Sequence, residues 1–431
     1  MSREASFPHA IVHFDGDAFF ASVLQMMDHT LRGKPVITGG ERGAATSLSY
    51  EAKALGLHRG MPMQEIRRIA PQAIVVPSDY TAYSIFARRM YAIVREFTPI
   101  VEEYSIDECF ADITGLEDSL GMRYEDIAQT IKTELEQSLG VTFGVGLAPS
   151  KTLAKVASKY RKPSGLTLIP TERIEEILGE TPIYDVWGLG GVGGSRLNML
   201  GVPTALSYIQ KSDGWLRDNG FVKPQRDTWL ELKGYYVNPV QVGKHGEIGS
   251  VMKTRTFSPP SEDRSFILSQ LSKNVEAACA KLRRAGMKAR ALSFYLKTQE
   301  FTYHAVQLDL PTALSAASGM LEQIEKRFDE VYATGIPYRA SGVTLRGLVT
   351  DDALTPDLFG EFAKRASRED AFEAVDSINK RYGSGTMFLG ASLEARAVPM
   401  LAREKKRKEG FVRAGKENKK SLDIPHLGTA R

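Results

Sequence analysis

The sequence predicts a multidomain α+β protein, and three observations carry that expectation. At 431 residues the chain is too long for one ordinary domain and suggests roughly two to four. Up to residue 169 the apolar periods run strand, helix, strand with an insertion, helix, strand, strand, helix, strand, which suits an antiparallel-type sheet with helices on one face. Residues 247–349 then give a second order, strand–helix–strand–strand–helix–strand.

Each element has a local reason. Ala10-Ile11-Val12-His13-Phe14 is an apolar run that reads as a buried strand closing at Asp15. Asp17 is placed to N-cap a helix through Met27. Lys34–Ile37 is a short strand ending at Gly39-Gly40. Residues 41–79 alternate small residues, turn signals and a short helix, Met63–Ala70, and read as a compact insertion. An amphipathic helix spans 80–97, followed by strands at 100–105 and 109–113, a helix over 123–138 and the strand Val141–Leu147. Residues 237–246, rich in Gly, Pro and Val, form a linker. The second region predicts strands 248–257, 289–298, 302–309 and 340–349 with helices 265–286 and 312–332. A further helix falls within 368–398, and from 403 onward the composition is that of a disordered, basic tail.

Composition narrows the function classes. No run of 18 uncharged apolar residues exists to span a membrane. The N-terminus MSREASFPHA has both charge signs and no apolar core, so export is not expected and a cytoplasmic location is. Cys109 and Cys279 are too few and too far apart for a disulfide framework or a zinc site. Residues 403–431 hold ten Lys/Arg against four Asp/Glu, a net +6 that exceeds the +4 of the whole chain. Residues 253–297 hold ten Lys/Arg against three acids. Two separate basic zones favour a polyanionic partner over a merely solvated surface.

The chemistry centres on Tyr104-Ser105-Ile106-Asp107-Glu108-Cys109-Phe110, taken together with Asp15. In a continuous β reading Ile106, Glu108 and Phe110 share one face, and Ser105, Asp107 and Cys109 the other. An unpaired carboxylate between two large apolar neighbours is costly to bury. Adjacent acids in an apolar run ask for a partner, and a hard divalent cation with oxygen ligands is the natural one. A solvated hairpin end is the plainer explanation of Asp107-Glu108 alone, and Asp15 shifts the balance.

The runs IVHFDGDAFFASV and YSIDECFAD resemble the two metal-binding motifs of Y-family translesion DNA polymerases, most closely the DinB, DNA polymerase IV-like branch. The resemblance extends through VGLAPSKTLAKVASKYRKPSG at 145–165 and covers about four fifths of the chain, to Val349. It implies a right-hand polymerase with a palm (8–18 and 80–169), small fingers (19–79), a helical thumb (170–236), a linker (237–246) and a little finger (247–349). A C-terminal extension (350–402) and the basic tail (403–431) follow.

By that resemblance Asp15, Asp107, Glu108 and the carbonyl of Gly16 hold two Mg²⁺ ions. Ser47, Tyr50, Lys53 and Lys162 contact the triphosphate, and Phe20 is the steric gate that excludes a ribose 2′-hydroxyl. The family usually has Thr and Arg where this chain has Ser47 and Lys53, so hydroxyl and charge persist while the bidentate fork is lost. Ala44 and Ala45 replace bulkier aliphatics and imply a roomier roof over the templating base. His13 and Phe19 read as core residues.

Gly188-Leu189-Gly190-Gly191-Val192-Gly193 fits a dinucleotide-binding pattern, but no convincing buried strand precedes it and no βαβ unit surrounds it. With Leu197, Leu200, Gly201 and Val202 it completes a helix-hairpin-helix pattern instead, so the backbone N–H groups at Gly188, Gly190 and Gly193 suit a DNA phosphate. Lys253 and Arg255 are the DNA-binding candidates of the little finger. Leu358 and Phe359 end Thr355-Pro356-Asp357-Leu358-Phe359, which resembles the bacterial clamp-binding pentapeptide in its last three positions and makes a sliding clamp a partner. The expected activity is template-directed addition of dNTPs to a primer–template across damage, with low fidelity and no proofreading, by a monomer. Two other readings share parts of this pattern: an inactive DNA-binding accessory protein on the same fold, and a palm-type nucleotide cyclase. The first would have lost a metal carboxylate, and the second has no use for a helix-hairpin-helix or a basic tail.

Overall fold

In the computed structural model, which describes residues 6–40, 43–242, 248–350 and 361–397, the chain forms two units, Met1–His245 and Gly246–Arg431. The first opens with β1 (Ile11–Gly16) and α1 (Phe19–Met27). An inserted lobe follows, made of β2 (Val36–Thr38), β3 (Ser47–Leu48), α2 (Tyr50–Ala54), α3 (Met63–Ile69) and β4 (Ile74–Val76). The chain returns through α4 (Tyr80–Phe97), β5 (Val101–Ser105), β6 (Glu108–Asp112), α5 (Leu116–Leu120) and α6 (Tyr124–Leu139). Then come β7 (Phe143–Ala148), α7 (Lys151–Tyr160) and β8 (Leu166–Leu168). Five short helices complete the unit: α8 (Ile174–Glu180), α9 (Gly190–Met199), α10 (Ala205–Ile209), α11 (Asp213–Asp218) and α12 (Lys223–Leu232).

Strand β1 is the middle of a sheet ordered β5-β6-β1-β7-β8, antiparallel except for the β7–β8 pair. Period-two alternation sorts its side chains. Val12, Phe14, Val145 and Leu147 face a core built with α1, α4 and α6, where Val23, Tyr83, Met90, Ile131 and Leu135 are buried. Ile11 and Phe110 face the other way, into a core shared with α7 and the short helices. Helices therefore cover both faces, not one as expected. The reason lies in two glycines of β7: a Cβ on Gly144 or Gly146 would stand 2.4 Å from Ser158 O or 2.1 Å from Ala154 O. Without those methyls, α7 lies directly on the strand.

Two other expectations shift. Asp17 does not cap α1; Ala18 holds the N-cap position in the left-handed region (φ 46°) with no side-chain cap bond. Strand β7 starts at Phe143 rather than Val141. The inserted lobe has its own sheet, β3-β2-β4, and its own small core of Ile37, Ala45, Leu48, Met61 and Ile66.

The second unit contains β9 (Ser250–Ser261), α13 (Arg264–Arg284), β10 (Met287–Thr298), β11 (Tyr303–Leu314), α14 (Ala317–Arg327) and β12 (Tyr338–Thr350). Its antiparallel sheet is ordered β11-β10-β12-β9. The helix expected over 312–332 begins only at Ala317, because β11 continues to Leu314 beside Ala289. Helix α15 (Glu361–Tyr382) stops at Tyr382, where Gly383 takes a φ of 107°. It packs on α13 through a two-pronged Arg283–Asp376 pair at 2.8 and 2.9 Å. A Lys288–Glu369 contact and Phe372 at the core support it.

Candidate active site

The backbone register brings the two acidic motifs together. Asp15 on β1 stands directly opposite Glu108 on β6. Ser105 of β5 pairs with Glu108, so Ile106 and Asp107 form a two-residue hairpin turn rather than part of a continuous strand. The acids do mark a hairpin end, yet it is pinned rather than freely solvated: Gly16 N donates to Asp107 O at 2.9 Å. Ser105 Oγ donates to Asp107 Oδ1 at 2.5 Å, and the Tyr91 hydroxyl donates to the carbonyl of Ser105.

Helix α7 supplies the first cation. Lys155 Nζ lies 2.8 and 2.7 Å from the two oxygens of Glu108, and 4.4 Å from the centre of the Tyr104 ring. Buried His13 adds its Nε2 at 3.0 Å from Glu108 Oε2, while its Nδ1 lies 2.7 Å from Ser158 Oγ. Burial alone would raise the Glu108 pKa; the hydrogen bonds and charges of His13 and Lys155 outweigh it and hold the group at about 2. Burial lowers the pKa of His13 despite the adjoining carboxylate. Asp107 moves the other way, its pKa raised first by burial.

The second cation follows α7. Lys162 Nζ is 2.8 Å from Asp15 Oδ1 and 3.5 Å from Asp17 Oδ1, its stem passing close to Gly144. The Tyr50 hydroxyl donates to the same Asp17 oxygen at 3.3 Å. Lys53 Nζ sits over the Tyr50 ring at 4.2 Å, and its pKa is lowered by burial and then by the charge of Lys162. Ser47 Oγ donates to Ala18 O at 3.4 Å. Phe20 stacks on Tyr83 with ring centres 4.2 Å apart. The structure thus gathers Ser47, Tyr50, Lys53 and Lys162 around residues 15–18. Asp17, which binds Tyr50 and Lys162 there, escaped the sequence reading because its position before a helix suggested only a cap.

Ligand atoms of His13, Asp15 and Glu108 lie within 4.8 Å of one another, close enough to hold a metal ion. Both ring nitrogens of His13 already have partners. The donors left are carboxylate oxygens, which fit a hard cation. Asp107 is not in that group, and its Oδ1 accepts from Ser105 Oγ.

Comparison with known proteins identifies the family. Residues 14–159 match the model of the impB/mucB/samB family, and residues 249–358 match that of the family's C-terminal domain. The DNA polymerase IV of Desulfatibacillum aliphaticivorans is 31% identical over 385 residues, covering 88% of this chain and 95% of that protein. The chain belongs to the DNA polymerase IV branch of the Y-family DNA polymerases. DNA polymerase IV 1 of Bacillus subtilis strain 168 is 29% identical, with 89% of this chain and 93% of that one covered. Among solved structures, a Y-family polymerase chimera of Dbh and Dpo4 has a TM-score of 0.67 at 25% identity, covering 79% of this chain and 100% of its own. The insertion ternary complex of Dbh DNA polymerase gives 0.53 at 25% identity with the same coverage.

Other residues expected of a Y-family polymerase fall as follows. Gly188 (φ 89°) and Gly190 (φ 55°) form the turn into α9, whose first residues include Gly193. Lys253 and Arg255 lie on edge strand β9, but opposite Val343 and Ser341, and so on the face that α13 covers. The opposite face carries Tyr295, Lys297 and Arg346. Ala45 is buried in the core of the inserted lobe and Ala44 forms a β-bridge with Pro62. Leu358 and Phe359 lie outside the described residues. Among the described residues, no helix is long and apolar enough to cross a membrane.

Proposed function

We propose that this Y-family chain extends a primer on a DNA template, including across damaged bases, in the cytoplasm. The observation that carries the reading is the pairing of Asp15 with Glu108 on neighbouring strands, with Lys155 and Lys162 at their carboxylates. In the reaction the primer 3′-oxygen bonds to the α-phosphorus of the dNTP, the bond to pyrophosphate breaks, and the hydroxyl proton leaves to solvent. Two Mg²⁺ ions held by Asp15, Asp107, Glu108 and the carbonyl of Gly16 would activate the hydroxyl and neutralise the charge on the phosphates. His13 and Lys155 keep Glu108 ionised and oriented. Lys162, Lys53, Tyr50 and Ser47 receive the triphosphate, and their contribution is positioning and electrostatics. Phe20 acts as the steric gate against ribonucleotides.

Gly188, Gly190 and Gly193 of the thumb, with Lys253 and Arg255 at the edge of the little finger, grip DNA phosphates, and the monomer is tethered by a sliding clamp through residues 355–359. The test is primer extension with four dNTPs on intact and lesion-bearing templates. Template-directed addition with Mg²⁺ and none with a chelator is expected. No addition on an intact template in Mg²⁺ would overturn the reading in favour of an inactive accessory protein.

A further inference from the structure

Asp17 is fully buried, and no step of the chemistry requires it. Its backbone is locked, with N donating to Thr142 O at 2.9 Å and O accepting from Ser22 Oγ at 2.6 Å. Its carboxylate accepts from Ser164 N at 2.7 Å, from the Tyr50 hydroxyl at 3.3 Å, and faces Lys162 Nζ at 3.5 Å. An ionised carboxylate at such a depth gives little net stability, since an apolar side chain of similar size often serves packing as well. What distinguishes Asp17 is the origin of its partners. Tyr50 comes from the inserted lobe, whereas Lys162 and Ser164 belong to the loop after α7. One carboxylate therefore ties two separate stretches at the place where each presents a triphosphate donor.

We propose that Asp17 is a positioning residue for the incoming triphosphate, an inference that rests on the assignment of Lys162 and Tyr50 as its ligands. The donor inventory explains how. An ammonium has three N–H donors. Lys162 directs one to Asp15 and one toward Asp17, which leaves a third for a phosphate oxygen. A cation taken up by Asp15 repels Lys162, and Asp17 then keeps the lysine beside the site instead of releasing it to solvent. Burial, then the charge of Asp17, raises the Tyr50 pKa, so the phenol stays protonated and able to donate.

The experiment compares Asp17→Asn, Lys162→Met and the double variant in the full-length chain. The Asn amide oxygen keeps an acceptor for Ser164 N–H, its NH2 group turns to the Tyr50 hydroxyl, which can accept from it, and the charge that holds Lys162 is removed. This variant is used because Asp17→Ala would orphan a buried N–H and could fail to fold. The readouts are KM for dNTP, kcat, and primer–template affinity by fluorescence anisotropy. Each single variant is expected to raise KM about tenfold with DNA affinity unchanged, the loss of one charged hydrogen bond. The double variant should be little worse than Lys162→Met alone, because Asp17 acts through Lys162. An unchanged KM in Lys162→Met would remove the assignment of that lysine to the triphosphate. A raised KM in Lys162→Met beside an unchanged one in Asp17→Asn, or single effects that multiply in the double variant, would overturn the role of Asp17 alone.

Discussion

At Glu108 burial and pairing act in opposite directions, and pairing prevails. Its folded pKa of about 2 lies below the ordinary carboxylate value of 4.5. The stabilisation from its ionised form is therefore complete above pH 4.5 and lost as pH falls through about 2. Lys155→Met removes one of its partners, so acid unfolding followed by circular dichroism should begin at a higher pH than in the parent. An unshifted acid transition would mean that His13 alone holds the carboxylate. Asp107→Ala and Glu108→Ala should each abolish primer extension while leaving primer–template affinity within about twofold, since phosphate contacts elsewhere dominate affinity. Near-parent extension by either variant would remove that acid from the catalytic set. Phe20 stacks squarely on Tyr83, which fixes the plane of its ring. Phe20→Ala should therefore raise the ratio of ribonucleotide to deoxynucleotide incorporation, and an unchanged ratio would return Phe20 to a packing role.

At the scale of the element, α7 decides how the cations reach the acids. Its buried Lys155 and Ser158 meet Glu108 and His13 because Gly144 and Gly146 let the helix rest on β7. Gly146→Ala would place a methyl 2.1 Å from Ala154 O, a backbone atom that can yield only if the whole helix moves. Overpacking of this kind costs about 1–3 kcal/mol, so a lower melting temperature and slower extension are expected together. A stable variant with reduced activity, or the reverse, would separate packing from site geometry. The same element shows what a sequence can reveal. Asp15 and Glu108 were legible because carboxylates in apolar strands lack a simple local explanation, and the motifs around them match a family in order. Asp17 was not legible: a cap and a long-range hub look alike locally, and its partners Ser164 and Tyr50 lie 147 and 33 residues away. The face on which Lys253 and Arg255 lie was not legible for a different reason. A strand's two faces differ by one residue of register, and β9, with charged and polar residues on both faces, gives no apolar pattern to set the parity.

For the whole molecule, charge is distributed unevenly along the chain. Residues 403–431 carry ten Lys/Arg against four Asp/Glu, a net +6 that leaves the rest of the chain at about −2. With a net charge so close to zero, residues 1–402 gain little from long-range attraction to DNA phosphates. The tail can supply that attraction without any fixed geometry, because phosphate binding by counterion release needs only proximity. Truncation after residue 402 should weaken primer–template binding most at low salt. It should also flatten the dependence of log affinity on log salt, by about 0.9 for each phosphate that the shorter chain no longer neutralises. Extension at saturating DNA should be unaffected, since the residues proposed to hold the metal ions and the triphosphate all lie between Asp15 and Lys162. The check is a salt titration of anisotropy for both lengths of chain. Equal slopes would show that the tail does not touch the primer–template and that its charge serves another partner.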